Sequence, residues 1–182
     1  GSLPKGYFDA FGNFRFLSKE PEGKLALAHY DAAFALQEIV LLQTQYTDRF
    51  FQLCRLEGGF CMMSASLLIR LDEAGAETSR QSLDAKDGWS FAAIQEADGV
   101  LYVLTRNFYG EELPELRKFA PDTLSALEAD TCTSEVIGLG LCADGRLLMG
   151  NREALFAYDT GSGETEPLVR WQELGANVLA EQ

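Results

Sequence analysis

Residues 143–171 read ADGRLLMGNREALFAYDTGSGETEPLVRW. An Asp-Gly pair opens an apolar run, RLLMG. A polar break leads to a second run, ALFAY, then to a Gly-rich stretch and a more polar extended tail. The runs are four to eight residues long and are bounded by Gly, Asp, Asn and Ser, which supply turn geometry. With VIGLGLCA just before it, the stretch reads as four short strands joined by tight turns.

The same grammar recurs upstream. Gly23, Gly59, Gly99 and Gly145 each follow a small or acidic residue and open an apolar burst, at steps of 36, 40 and 46 residues. A strand-like run precedes each burst: FRFLSKE, FFQLCRLE, SFAAIQEA and VIGLGLCA. A second apolar segment and a more polar extended stretch follow it. VLYVLTR is β-branched and aromatic, as a pleated, half-buried surface favours. ADG and EGG place Gly where a hairpin needs positive φ.

The expected fold is all-β and β-propeller-like, with about four repeated four-stranded antiparallel blades. The units fall at 14–45, 48–84, 89–131 and 136–171, within a single domain over 14–172. Residues 1–13 are then an N-terminal arm and 173–182 a C-terminal tail. Four such units make a closed small ring, a partial ring, or a half-ring completed by a second copy. An unclosed arc exposes strand edges, so self-association is expected. In KLALAHYDAAFALQEIVLLQ, Leu25, Ala28 and Ala32 also sit at helical spacing. Strands are preferred there because the neighbouring runs are strands. The tail WQELGANVLAEQ reads equally as a helix or an extended arm.

The pattern over 136–171 resembles a blade of bacterial β-propellers of the quinoprotein-like or YVTN-like kind, in which an Asp-Gly turn, an apolar strand and a Tyr-Asp-x-x-Ser/Thr-Gly turn recur. The resemblance extends over 89–131, then 48–84 and 14–45. ELRKFAPDTL and EPLVRWQELGANV are also similar to N-terminal propeller segments of extracellular solute-binding lipoproteins of gut Firmicutes. That resemblance implies an extracytoplasmic module linked to solute uptake, and it carries no functional residue over to this chain.

The chain has 182 residues, 47% of them hydrophobic, enough for a sizeable core. Its net charge of −13 repels phosphate backbones and anionic membranes. Neither is expected as a partner; a protein or a carbohydrate is. No apolar run approaches 18 residues, so no membrane span is expected. No signal peptide is visible, and Gly1-Ser2 reads as a cloning remnant. Cys54, Cys61, Cys132 and Cys142 are too scattered for a disulfide scaffold, and no pair has the C-x2-C spacing of a zinc site. Cys54 and Cys61 could face each other across a hairpin, and the four are read as small buried apolar side chains.

Several motifs invite chemistry. Asp159-Thr160-Gly161 has the form of an aspartic protease loop, but that reaction needs two carboxylates sharing one proton. It is read as a turn, aligned with LDEAG and FAPDT. Gly138-Leu139-Gly140 with Ala143 forms a G-x-G-x-x-A string, but a turn and a strand follow it where a dinucleotide site needs a helix. His29 is the only histidine and is read as a strand residue. With no P-loop, EF-hand or zinc-protease motif, no cofactor, metal or catalytic residue is assigned. The loop RNFYGEELPEL is the longest insertion between second and third strands. Its Glu111, Glu112 and Glu115 are read as solvated, with a paired-carboxylate glycosidase as the competing role. Phe108, Tyr109, Glu111 and Glu112 are the expected contact loop, because exposed aromatics on a loop suit recognition. The expected function is a non-enzymatic interaction or ligand-binding module. A propeller-type glycoside hydrolase or lyase and a structural half-ring are the alternatives.

Overall fold

The computed structural model describes residues 5–8, 14–19, 25–42, 50, 52–83, 88–132 and 134–172, the first two segments as backbone only. The described residues form four four-stranded antiparallel sheets, each a meander in chain order. Blade 1 holds β1 (Lys5–Phe8), β2 (Phe14–Lys19), β3 (Leu25–Tyr30) and β4 (Leu36–Leu41). Blade 2 holds β5 (Gln52–Leu56), β6 (Gly59–Met63), β7 (Leu67–Asp72) and β8 (Glu77–Ser82). Blade 3 holds β9 (Trp89–Ala97), β10 (Val100–Asn107), β11 (Glu115–Phe119) and β12 (Ala126–Thr131). Blade 4 holds β13 (Gly138–Leu141), β14 (Leu147–Gly150), β15 (Ala154–Tyr158) and β16 (Thr165–Arg170).

The chain divides into two compact units: Gly1–Asp84 with Ala120–Ser125, and Ala85–Phe119 with Ala126–Gln182. The first unit packs blades 1 and 2 through Leu27, Leu53, Phe60, Met62, Ile69 and Leu71. The second packs blades 3 and 4 through Tyr102, Leu104, Leu116, Leu147, Met149 and Tyr158. Burying each such large side chain stabilises by about 1.5–3 kcal/mol.

Sequence character follows position in the blade. The second strands β6 and β10 are buried on both faces, which is why GFCMM and VLYVLT read as unbroken apolar runs. The fourth strands are edge strands. Residues of β12 and β16 are almost all exposed, and β8 alternates. β4 is the apolar exception: its Leu36, Ile39 and Leu41 are each about half exposed or more.

The turns repeat as well. Between third and fourth strands, the Asp31 carboxylate accepts from the amides of Ala33 and Ala35, both at 2.9 Å. Asp72 does the same for Ala74 and Ala76, at 2.9 and 2.8 Å. Asp159 does so for Gly161 and Ser162, at 2.9 and 2.7 Å. Each turn closes on a residue with positive φ: Phe34, Gly75, Leu124 and Gly163. In blade 3 Ala120 takes the Asp position, so FAPDT aligns through Ala120 and not through Asp122. After the second strands, Ser64, Asn107 and Asn151 cap their turns with side-chain oxygens in the same manner.

Two expectations need adjusting. The first sheet begins at β1, inside the stretch read as an arm, because Lys5–Phe8 pairs with Phe14–Leu17. The second apolar segment and the extended stretch expected after the Gly23 burst are not separate strands among the described residues. Asp31 nucleates a turn, and Leu36–Leu41 is one strand paired with β3. Of the stretch from Lys24 to Leu42, residues 25–42 are described, and their regular part is strand, not helix. Trp171 and Gln172 are helical, and the rest of the tail lies outside the described residues.

Candidate functional site

The expected contact loop lies between β10 and β11 and spans residues 108–114, against 64–66 and 151–153 in blades 2 and 4. Asn107 organises it. Its side-chain oxygen accepts from the amides of Tyr109 and Gly110, both at 3.0 Å, and its amide nitrogen donates to Glu112. Tyr109 is 92% exposed and Phe108 58%. The Arg106 guanidinium sits 5.5 Å from the Phe108 ring centre and pairs with Glu135 at 3.1 Å. Tyr109, Glu111 and Glu112 line an open concavity with Gly88 and Asn107, and Phe108 does not join them. Glu115 is drawn away on β11, where it pairs with Arg117 at 3.1 Å. The loop therefore presents two large aromatics on a backbone held by side-chain hydrogen bonds.

A second site escaped the sequence reading. Within the second unit, a cleft of about 570 Å³ opens between β11–β12 of blade 3 and β14–β16 of blade 4. Its wall holds a polar triad. Lys118 Nζ lies 2.7 Å from Asp130 Oδ2, and the Tyr158 hydroxyl donates to the same oxygen at 2.8 Å. The Lys118 ammonium, ahead of the Tyr158 hydroxyl, holds the Asp130 carboxyl below the usual carboxylate range despite partial burial. Burial, reinforced by the Asp130 charge, pushes the Tyr158 phenol well above its ordinary value, so it stays a donor. Tyr102 meets Tyr158 edge-on, ring centres 6.3 Å apart, and Thr160 donates to Asp98 at 2.8 Å. Cys132 lines the cleft as a buried thiol pushed up to about 11 by burial, then by Asp130. The sequence held a faint signal: Lys118 and Asp130 lie near the ends of the paired strands β11 and β12, and Tyr158, at the end of β15, reaches Asp130 only once blades 3 and 4 stack.

The motifs that suggested enzymes resolve into structure. Asp159 caps its own turn, and the amides of Ser162 and Gly161 hold its carboxyl low. Gly138 and Gly140 lie on β13, paired with Gly150 and Leu148 of β14. His29 lies mid-β3, opposite Glu38. Cys54 and Cys61 are direct cross-strand neighbours, and no disulfide joins the cysteines. Among the described residues, no helix is long and apolar enough to cross a membrane.

No family model and no curated protein sequence matches the chain. A solved structure does: the WD40 domain of Neurospora crassa Pan2, at a TM-score of 0.58 and 8% identity, over 92% of this chain and 49% of that one. The chain spans about half the length of that domain. Four consecutive four-stranded antiparallel meanders together with this neighbour make the fold all-β and β-propeller-like.

Proposed function

We propose that this chain is a non-enzymatic interaction module whose contact surface is the β10–β11 loop. The observation that carries the reading is the exposure of Phe108 and Tyr109 on a loop pre-ordered by Asn107. Large aromatics offered from an ordered backbone give contact area at little entropic cost. Propeller folds host many functions, so the fold supports the reading only by analogy. A hydrolase needs two carboxylates facing one substrate. The cleft offers only Asp130, already engaged by Lys118 and Tyr158. A photo-crosslinking residue at position 109 is expected to trap a discrete partner that the same residue at Gln81 does not. Equal yields at both positions, or none at 109, would overturn the reading. A bacterial, extracytoplasmic role in solute uptake is supported by the blade resemblance alone. Fractionation of the native cell tests it, and recovery of the protein in the cytosol would refute it.

A second reading, self-association, is favoured by a different observation. On blade 4 the face opposite the core carries Leu148 and Leu155, flanked by Ile137 and Trp171 over a hollow of about 300 Å³. On blade 1, Ile39 and Leu41 are exposed on the face opposite Leu27 and Val40. Apolar sheet faces of this kind are stable when covered. A second copy is the proposed cover. Sedimentation velocity is expected to show a concentration-dependent dimer that Leu148→Glu dissociates; a monomer at every concentration would refute this.

A further inference from the structure

The cleft of the second unit has a composition that selects a ligand class. Its charged lining residues are Lys118 and Asp130, and they neutralise each other at 2.7 Å. An anion would meet a cation already engaged, on a chain of net charge −13. A cation would meet the Lys118 ammonium. What remains on offer is hydrogen bonding in both directions. Both bonds to Asp130 fall on Oδ2, which leaves Oδ1 as an acceptor. Lys118 retains donors beyond the one it uses, and the Thr131, Ser134 and Thr165 hydroxyls line the opening. The floor is apolar, built from Leu116, Val136 and Met149, with Phe156 half-buried beside it. An apolar floor with a few convergent polar groups, and a volume between about 300 and 1,000 Å³, is the usual form of a small-ligand site.

We propose that the cleft between blades 3 and 4 binds an uncharged, hydroxyl-rich ligand, a neutral mono- or disaccharide. Ring hydroxyls would exchange hydrogen bonds with Asp130, Lys118 and the rim hydroxyls. The C–H face of the sugar would lie on Phe156 and Met149. This site is separate from the β10–β11 loop, and the two can fail independently.

Titration calorimetry and thermal shift with glucose, galactose, mannose, maltose and cellobiose at millimolar concentration test the proposal. Glucose 6-phosphate and glucosamine serve as charged counterparts. At least one neutral sugar is expected to bind, with its charged counterpart weaker. Asp130→Asn removes a charged acceptor and is expected to weaken binding about 10- to 100-fold. Thr131→Val, at the exposed rim, removes one rim hydroxyl without touching the core and is expected to weaken binding as well. Phe108→Ala with Tyr109→Ala is expected to leave sugar binding unchanged. Three results would overturn the inference: no binding by any neutral sugar, tighter binding of a charged counterpart, or unchanged affinity in both Asp130→Asn and Thr131→Val. Displacement of bound sugar by a peptide pairing along β12 would instead assign the cleft to a polypeptide.

Discussion

Gly75→Ala is expected to destabilise the first unit more than Gly58→Ala, although both glycines have positive φ on blade 2. Gly58 has φ +66°, and a Cβ built there meets only the Arg70 guanidinium at 4.0 Å. Its substitution therefore reports little beyond backbone strain, about 1 kcal/mol. Gly75 has φ +78°, and its Cβ would lie 2.9 Å from Val40 Cγ1 and 3.1 Å from Leu42 Cδ2. Leu42 belongs to the core between blades 1 and 2, and Val40 packs against it. Displacing them adds an overpacking penalty of about 1–3 kcal/mol. The gain from a stiffer unfolded chain, about 0.4–1 kcal/mol, applies to both variants and cancels. The difference between the variants is therefore the packing penalty, about 1–3 kcal/mol, or roughly 2–4 °C in Tm for each kcal/mol. Urea denaturation followed by far-UV circular dichroism, at unchanged m, measures it. Equal losses in the two variants would refute the claim that the β7–β8 turn is packed against blade 1.

Three further outcomes follow from the same geometry. Asp159→Ala is expected to lower Tm, and Asp159→Asn to preserve it, because the amide oxygen still accepts from Gly161 and Ser162; equal losses would refute the capping role. The Asp130 carboxyl is held below its unfolded value, so its contribution is full above about pH 3.8 and is lost as pH falls through the lower folded value. Stability measured between about pH 2 and 5 should therefore show an acid limb that Asp130→Asn flattens. Thiol labelling at mildly alkaline pH is expected to modify Cys142 first, since Cys54, Cys61 and Cys132 are buried and burial raises the Cys61 and Cys132 thiols. Equal labelling of all four in the native protein would contradict the burial.

The sequence carried the blade repeat because each strand's environment is written locally. Strands buried on both faces, such as β10, read as continuous apolar runs, and turns need Asp, Asn, Ser or Gly at fixed places. The first blade runs one strand out of step with the expected unit at 14–45. KGYF is short, and FALQEIVLL spans a turn and a strand without the Gly that marks Gly75 and Gly163. Phe34 takes that left-handed position instead. The candidate loop was visible because its insertion and aromatics are contiguous. The cleft was not, because Lys118, Asp130 and Tyr158 come from three strands in two sheets. Lys118 and Asp130 meet through the β11–β12 pairing, but the Tyr158 contact depends on how blades 3 and 4 stack, which periodicity does not encode.

The edge strand β4 has a consequence for handling and engineering. Among the described residues, LQEIVL ends its sheet with a hydrogen-bonding edge that no strand pairs, and Glu38 is its single charge. A carboxylate of this kind acts as a gatekeeper against stacking of like strands from neighbouring molecules. Glu38→Gln would remove that barrier and favour fibrous, thioflavin-binding assemblies. A lysine at Ile39 would reinforce it and keep concentrated solutions clear.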